Sequence, residues 1–188
     1  MSSGVPRCRT VTVHAFPGDR AALARRVRQA LHDDLHGLGP GPSAQECLLY
    51  AGHAGVSTHA DAAIYCFNPN FGSLTIGHGM QRLRNGDAFP GVVRDDTLVF
   101  DAARRHKLKV ATVDVVLPEP DYQDFLGKLR TERQQSRYTY GFPNGDGDCN
   151  CITWLERLAL PLLSGHMGEF AGLAGLTQFS RRKFGHCV

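Results

Sequence analysis

The chain holds no apolar run near the ~18 residues that a membrane-spanning helix needs. Its most aliphatic stretches, residues 110–117 and 158–163, are far shorter. Behind the basic start MSSGVPRCRT there is no continuous apolar segment, so no secretory signal is expected. The expected location is the cytoplasm, or the outside of the cell by a leaderless route. Internal repeats and low-complexity tracts are absent. Neither sign of charge dominates. A net charge of +3 and a pI near 8.6 fall short of what argues for nucleic acid. Arg7, Arg9, Arg20, Arg25, Arg26 and Arg28 cluster early in the chain, and a solvated helix face accounts for them.

What is present fits an ordinary globular domain. The chain has 188 residues, 42% of them hydrophobic and 21% charged, which is enough for one buried core. With 21 glycines and 10 prolines it is loop-rich, favouring α+β or α/β over a helix bundle. The six cysteines, in a chain of this size without a leader, read as thiols and not as a disulfide framework.

Alternating β-branched residues predict a strand over 10–16. Asp19 then caps a helix to about Asp34, with Leu23, Val27, Ala30 and Leu31 on one stripe. Residues 37–42 (GLGPGP) read as a linker. The expected division is a strand–helix extension over 1–40 and a main domain over 41–188. The extension is expected to pack with the rest, since its strand alone would leave an unpaired edge. Residues 47–57 and 62–67 read as two strands of a hairpin. Residues 68–91 read as a long loop, 98–100 as a short strand and 107–117 as a strand closed by Pro118 and Pro120. Residues 121–136 form an amphipathic helix with Tyr122, Phe125, Leu126 and Leu129 inward. A last helix starts near Cys151, buries Trp154, Leu155 and Leu158, and ends or kinks at Pro161.

Two segments carry chemistry. Gly52-His53-Ala54-Gly55-Val56 sets a histidine at the entry of the hairpin. Asn144-Gly145-Asp146-Gly147-Asp148-Cys149-Asn150-Cys151-Ile152-Thr153-Trp154 delivers a cysteine to a helix start. A thiolate there is stabilised by the helix dipole and the open N–H groups. A histidine on a neighbouring strand can take its proton, the logic of a nucleophile with its base. Taken alone, either residue is more simply a structural one; the pair gives the reading its weight. Of the two cysteines, Cys151 is the expected nucleophile. Asn150 is a favoured N-cap, and Asp146 and Asp148 would raise a thiol pKa at Cys149. Asn150, or a backbone amide of the loop that includes Asp148 and Cys149, is the expected second oxyanion donor. The group that orients His53 is expected to be Asn68, ahead of Tyr65 and Asp61.

Competing readings are weaker. Cys149 and Cys151 with His166 or His186 lack structural-zinc spacing. The Gly-Asp-Gly-Asp run repels an anion, and no glutamate closes an EF-hand. No metal and no cofactor are expected. His59 and His106 read as surface, and His78 as a loop residue.

Three elements, Gly-His-x-x-Val at 52–56, the aromatic strand Ile64-Tyr65-Cys66-Phe67 and Asn150-Cys151-Ile152-Thr153-Trp154, occur in an order that resembles a known group. It is the circularly permuted papain-like cysteine hydrolases: the permuted NlpC-type amidases, the lecithin retinol acyltransferase relatives and the desumoylating isopeptidase (PPPDE) group. The resemblance covers residues 46–165. It implies an α+β, papain-like permuted fold, with an antiparallel sheet packed against a cysteine-bearing helix. It also implies a Cys151–His53 thiol hydrolase acting on an amide or isopeptide bond. The implied substrate is a protein or peptide, including peptidoglycan peptides, and the role of an effector or toxin fits. Acyl transfer or deamidation on the same fold, and a non-catalytic binding module, are the alternatives.

Overall fold

Six strands make one sheet in the order β5-β1-β2-β3-β4-β6 among the residues described. The computed structural model describes residues 8–38, 44–141, 147 and 149–163. In chain order the elements are β1 (Cys8–Phe16), α1 (Arg20–His36), α2 (Ala44–Ala51), β2 (His53–Thr58), β3 (Asp61–Pro69) and α3 (Ile76–Arg84). There follow β4 (Phe89–Asp95), α4 (Thr97–Arg105), β5 (Ala111–Pro118), α5 (Glu119–Gln134), β6 (Thr139–Tyr140) and α6 (Cys151–Leu163). Every ladder is antiparallel. The architecture is mixed α and β, built on an open antiparallel sheet. No helix among the described residues is long and apolar enough to cross a membrane.

The period-2 alternation of the strands sorts side chains into two clusters. Val11, Val13 and Ala15 of β1, Tyr65 and Phe67 of β3, and the inner sides of α5 and α6 make the larger one. Ile64 and Cys66, the alternate residues of β3, join Phe16 and the α4 residues Val99, Phe100 and Ala103 in the smaller one. Trp154, Leu155 and Leu158 of α6 and Tyr122, Phe125 and Leu129 of α5 are buried as the sequence pattern requires. β1 is an interior strand between β5 and β2, so the N-terminal strand and helix build the same sheet and core as the residues after position 40.

Four readings are corrected. Residues 47–51 belong to helix α2, not to a strand; so short an apolar run does not separate the two by periodicity. The loop expected over 68–91 contains α3 and the start of β4. Its glycines are packing devices: a Cβ on Gly77 would press on Ala30 and Leu31 of α1 at 3.1 Å. His78 therefore lies on α3, exposed. Residues 98–100 open α4, burying Val99 and Phe100. Pro161 does not end α6, which runs to Leu163; in a last turn it removes only one hydrogen bond. Residues 164–188, with His166 and His186, lie outside the described residues.

Candidate functional site

His53 is the first residue of β2. The preceding Gly52 has φ 79°, and a side chain there would run into the backbone of Gly18. That tight corner brings the chain from α2 into β2 and sets the imidazole at the sheet end. There it lies between Phe16 (6.3 Å between ring centroids) and Phe100 (5.9 Å). Only 2% of His53 is exposed.

Asp96 follows β4 directly. Its N–H donates to Ile64 O at 2.9 Å, and its carbonyl accepts from Val99 N at 2.9 Å. The chain thus pivots at Asp96 from sheet to helix, and the carboxylate turns inward. Oδ2 lies 2.8 Å from His53 Nε2. A carboxylate only accepts, so Nε2 carries the hydrogen and Nδ1 is the free base nitrogen of the neutral ring. Asn68, near the end of β3, donates from Nδ2 to the same Oδ2 at 2.7 Å and to Cys66 O at 3.3 Å. Asn68 therefore holds Asp96, and Asp96 holds the ring. The contact expected of Asn68 with the far ring nitrogen is made by Asp96. Asp61 and Tyr65 of β3 hydrogen-bond each other, and the hydrogen bond of His53 is to Asp96 instead.

His53 Nδ1 is buried with no hydrogen-bond partner among the described residues, and the thiols of Cys66 and, less strongly, Cys151 act on the charge of the ring. Cys151 opens α6, as its sequence position predicts. Asn150 Oδ1 accepts from Ile152 N at 2.9 Å and Thr153 N at 3.0 Å, while Thr153 Oγ1 accepts from Asn150 N at 2.8 Å. This reciprocal cap satisfies the N–H groups of Ile152 and Thr153 and leaves the Cys151 N–H outside the cap's own bonds. Cys149 sits in an edge bridge instead. Its N–H donates to Thr139 O at 3.0 Å, and its carbonyl accepts from Gly141 N at 2.9 Å. Asp148 lies outside the described residues. Tyr140, opposite Phe89 in the β4–β6 ladder, brings its hydroxyl to Cys151. Its ring packs on Phe67, which stacks on Trp154 of α6.

Burial alone would push the His53 pKa down. Cys66, the Asp96 hydrogen bond and Cys151 outweigh it and hold the ring's pKa well above the ordinary imidazole value. Burial pushes the Cys66 thiol up to about 11, against the pull of His53. Tyr140 is also raised, by burial first and by Cys151 next, so its hydroxyl stays a donor.

Of the residues singled out in the sequence, His53 and Asn68 share Asp96 as a partner, Cys151 acts on the His53 ring, and Asn150 caps the helix that Cys151 opens. Sequence reasoning missed Asp96, Cys66 and Tyr140. The available signal for Asp96 was a carboxylate immediately after a β-branched strand and before an apolar helix start. The atoms offered by His53, Cys66 and Asp96 lie within 4.8 Å of one another, a donor set of a kind zinc accepts. Comparison with known protein families, with curated proteins and with solved structures finds no match to this chain.

Proposed function

We propose that the chain is a thiol hydrolase of amide or isopeptide bonds in a protein or peptide, of the permuted papain-like type. Cys151 is the nucleophile, His53 the base, and Asp96 the orienting group, with Asn68 behind it. The observation that carries this reading is the buried imidazole, held by a carboxylate at 2.8 Å on one nitrogen and facing a helix-start cysteine. His53 Nδ1 takes the Cys151 proton, and the sulfur forms a bond to the substrate carbonyl carbon. The Cys151 N–H and the Tyr140 hydroxyl meet the oxyanion; one such donor contributes about 3 kcal/mol. As the C–N bond breaks, the amine leaves with the proton from Nδ1. Water, deprotonated by the same nitrogen, then clears the acyl group. Peptide, isopeptide and peptidoglycan substrates all present such a carbonyl, and an effector or toxin role accords with the first two. Were a second nucleophile to replace water, the same residues would perform acyl transfer; a side-chain amide as substrate would make it a deamidase.

Alkylation by iodoacetamide at about pH 6, where an ordinary thiol of pKa ~8.5 reacts slowly, tests this. Fast labelling is expected to survive Cys149→Ala and to vanish in Cys151→Ala. Labelling that follows Cys149 would overturn the choice of Cys151 and move the nucleophile two residues upstream; slow labelling in folded, reduced protein would remove the proposal and leave a binding module.

One observation favours a second reading. The His53, Cys66 and Asp96 donors are close enough to share an ion. Zinc there would replace the ring's hydrogen bond to Asp96 and silence the thiol. Equilibrium dialysis against zinc decides it: stoichiometric binding that Cys66→Ser abolishes supports a metal centre.

A further inference from the structure

A cavity of about 170 Å³ opens where β3 ends, with Asn68 in its lining. One side of it is apolar: Leu48 of α2, Phe71 and Leu74 of the turn after β3, and Ile76 and Met80 of α3; Asn68, Asn70 and Arg94 make the polar side. An enclosed space of ~150 Å³ takes a benzene ring, whereas drug-sized ligands need ~300 Å³ or more. The cavity therefore has room for one medium apolar side chain.

Asn70 Oδ1 accepts from Gly72 N at 3.2 Å, and the other two polar side chains, Asn68 and Arg94, keep unused hydrogen-bonding capacity. Asn68 lines the cavity and is 3% exposed. Both contacts of its Nδ2 are to acceptors, Asp96 Oδ2 and Cys66 O, so the amide cannot be turned over. Its Oδ1 is buried with no hydrogen-bond partner among the described residues. A buried acceptor in this state has room for a donor from outside the described residues. Arg94, from β4, also lines the cavity; it is exposed and forms no ion pair among the described residues.

An apolar recess, an orphan acceptor and an uncommitted guanidinium define a ligand. We infer that this cavity binds an N-acylated apolar amino acid with a free carboxylate, the chemistry of a peptide's C-terminal residue. The side chain fills the recess and the amide N–H donates to Asn68 Oδ1. The carboxylate meets Arg94, whose planar fork accommodates it with two parallel bonds. Asn68 would then bind the ligand on one amide atom and Asp96 on the other. Occupancy and the His53 orientation share one hydrogen-bond chain. That the cavity serves as a substrate subsite rests on the hydrolase reading. That it binds this chemistry does not.

The test is a titration of the ¹⁵N-labelled full chain, as wild type and as Cys151→Ala, with N-acetyl-L-leucine, followed by NMR. Saturable shifts at the Asn68 side-chain amide and at Ile76 and Met80 are expected in both proteins. N-acetyl-L-leucine amide, which lacks the carboxylate, should bind about tenfold more weakly, and Arg94→Gln should weaken the acid by a similar factor. N-acetylglycine, which lacks the side chain, should not saturate. The absence of saturable shifts with N-acetyl-L-leucine up to its solubility limit overturns the inference. So does equal binding of acid and amide, or binding that Arg94→Gln leaves unchanged. A failure of Cys151 to alkylate would sink the hydrolase reading and leave this titration intact.

Discussion

His14 and His53 are two buried histidines of one sheet that differ in what they hold. His14 lies in β1, opposite Gly55 of β2, and His53 begins β2. Both rings pack near Phe100, at 5.8 and 5.9 Å. Each places Nε2 2.8 Å from an oxygen, that of the Ser57 hydroxyl for His14 and of the Asp96 carboxylate for His53. Burial, helped by Arg104, lowers the His14 pKa against the weaker pull of Asp114. His53 is raised despite its burial. The partner, and not the depth, decides whether a core histidine is a neutral packing group or a proton-holding one.

The largest expected effect breaks that comparison at its carboxylate. Asp96→Ala leaves a buried imidazole without its charged partner and should cost about 3–5 kcal/mol, read by urea unfolding at neutral pH. Ser57→Ala beneath His14 should cost only about 1 kcal/mol. Equal costs would show that the two rings are held alike. Gly55 stands between them. It faces His14 in the β1–β2 register, and a Cβ there would run into Cys66 Sγ and crowd Tyr65 O at 2.9 Å. Gly55→Ala should destabilise by about 1–3 kcal/mol, with Cys66→Ser recovering part of it, since the sulfur is the movable obstacle.

Stability against pH separates the pair more finely. The folded pKa of His53 lies above its unfolded value, so its contribution is complete below about pH 6.5 and is lost as pH rises through the folded value. His14 has the opposite shift. Its contribution is present above about pH 6.5 and is lost as pH falls through its lowered value. Unfolding curves from about pH 5 to about pH 8 should flatten on the acid side in His14→Gln and on the alkaline side in His53→Gln. Exchanged slopes would reverse the assignment. The smallest effect concerns the helix that presents the thiol. Asn150→Ala should cost about 1 kcal/mol and slow Cys151 alkylation, while Cys151 remains the labelled residue by peptide mapping.

Much of this arrangement was legible because local rules carried it. Asp19 accepts from Ala22 N at 2.9 Å and starts α1 as an N-cap must. Asn150 caps α6, so Cys151 could be placed at a helix start from its neighbours alone. α2 and α4 were misread because short apolar runs such as 47–51 and 98–100 carry no usable period. α3 was hidden by Gly77 and Gly79, whose helical role exists only because α1 and Phe71 press on them. Asp96 was out of reach for a related reason. Its carboxylate meets His53 only once β2, β3 and β4 have settled in register, and no single segment records that register. Cys66 seemed an ordinary strand residue until the same pairing brought it to the ring.

β1 occupies an interior place in the sheet although it is made first. It must wait unpaired for β2 on one side and, far later, for β5 on the other. His53 in turn waits for Cys151, which leaves the ribosome about 100 residues later, ~5–20 s at typical rates of synthesis. The sheet is thus closed by its late strands, and the thiol–imidazole pair is among the last contacts to form. A chain interrupted between α5 and α6 has made His53, Asp96, Cys66 and the residues of the bordering cavity, but not Cys151. The approach of Cys151 to His53 therefore depends on α6 docking onto a sheet whose other parts are already made.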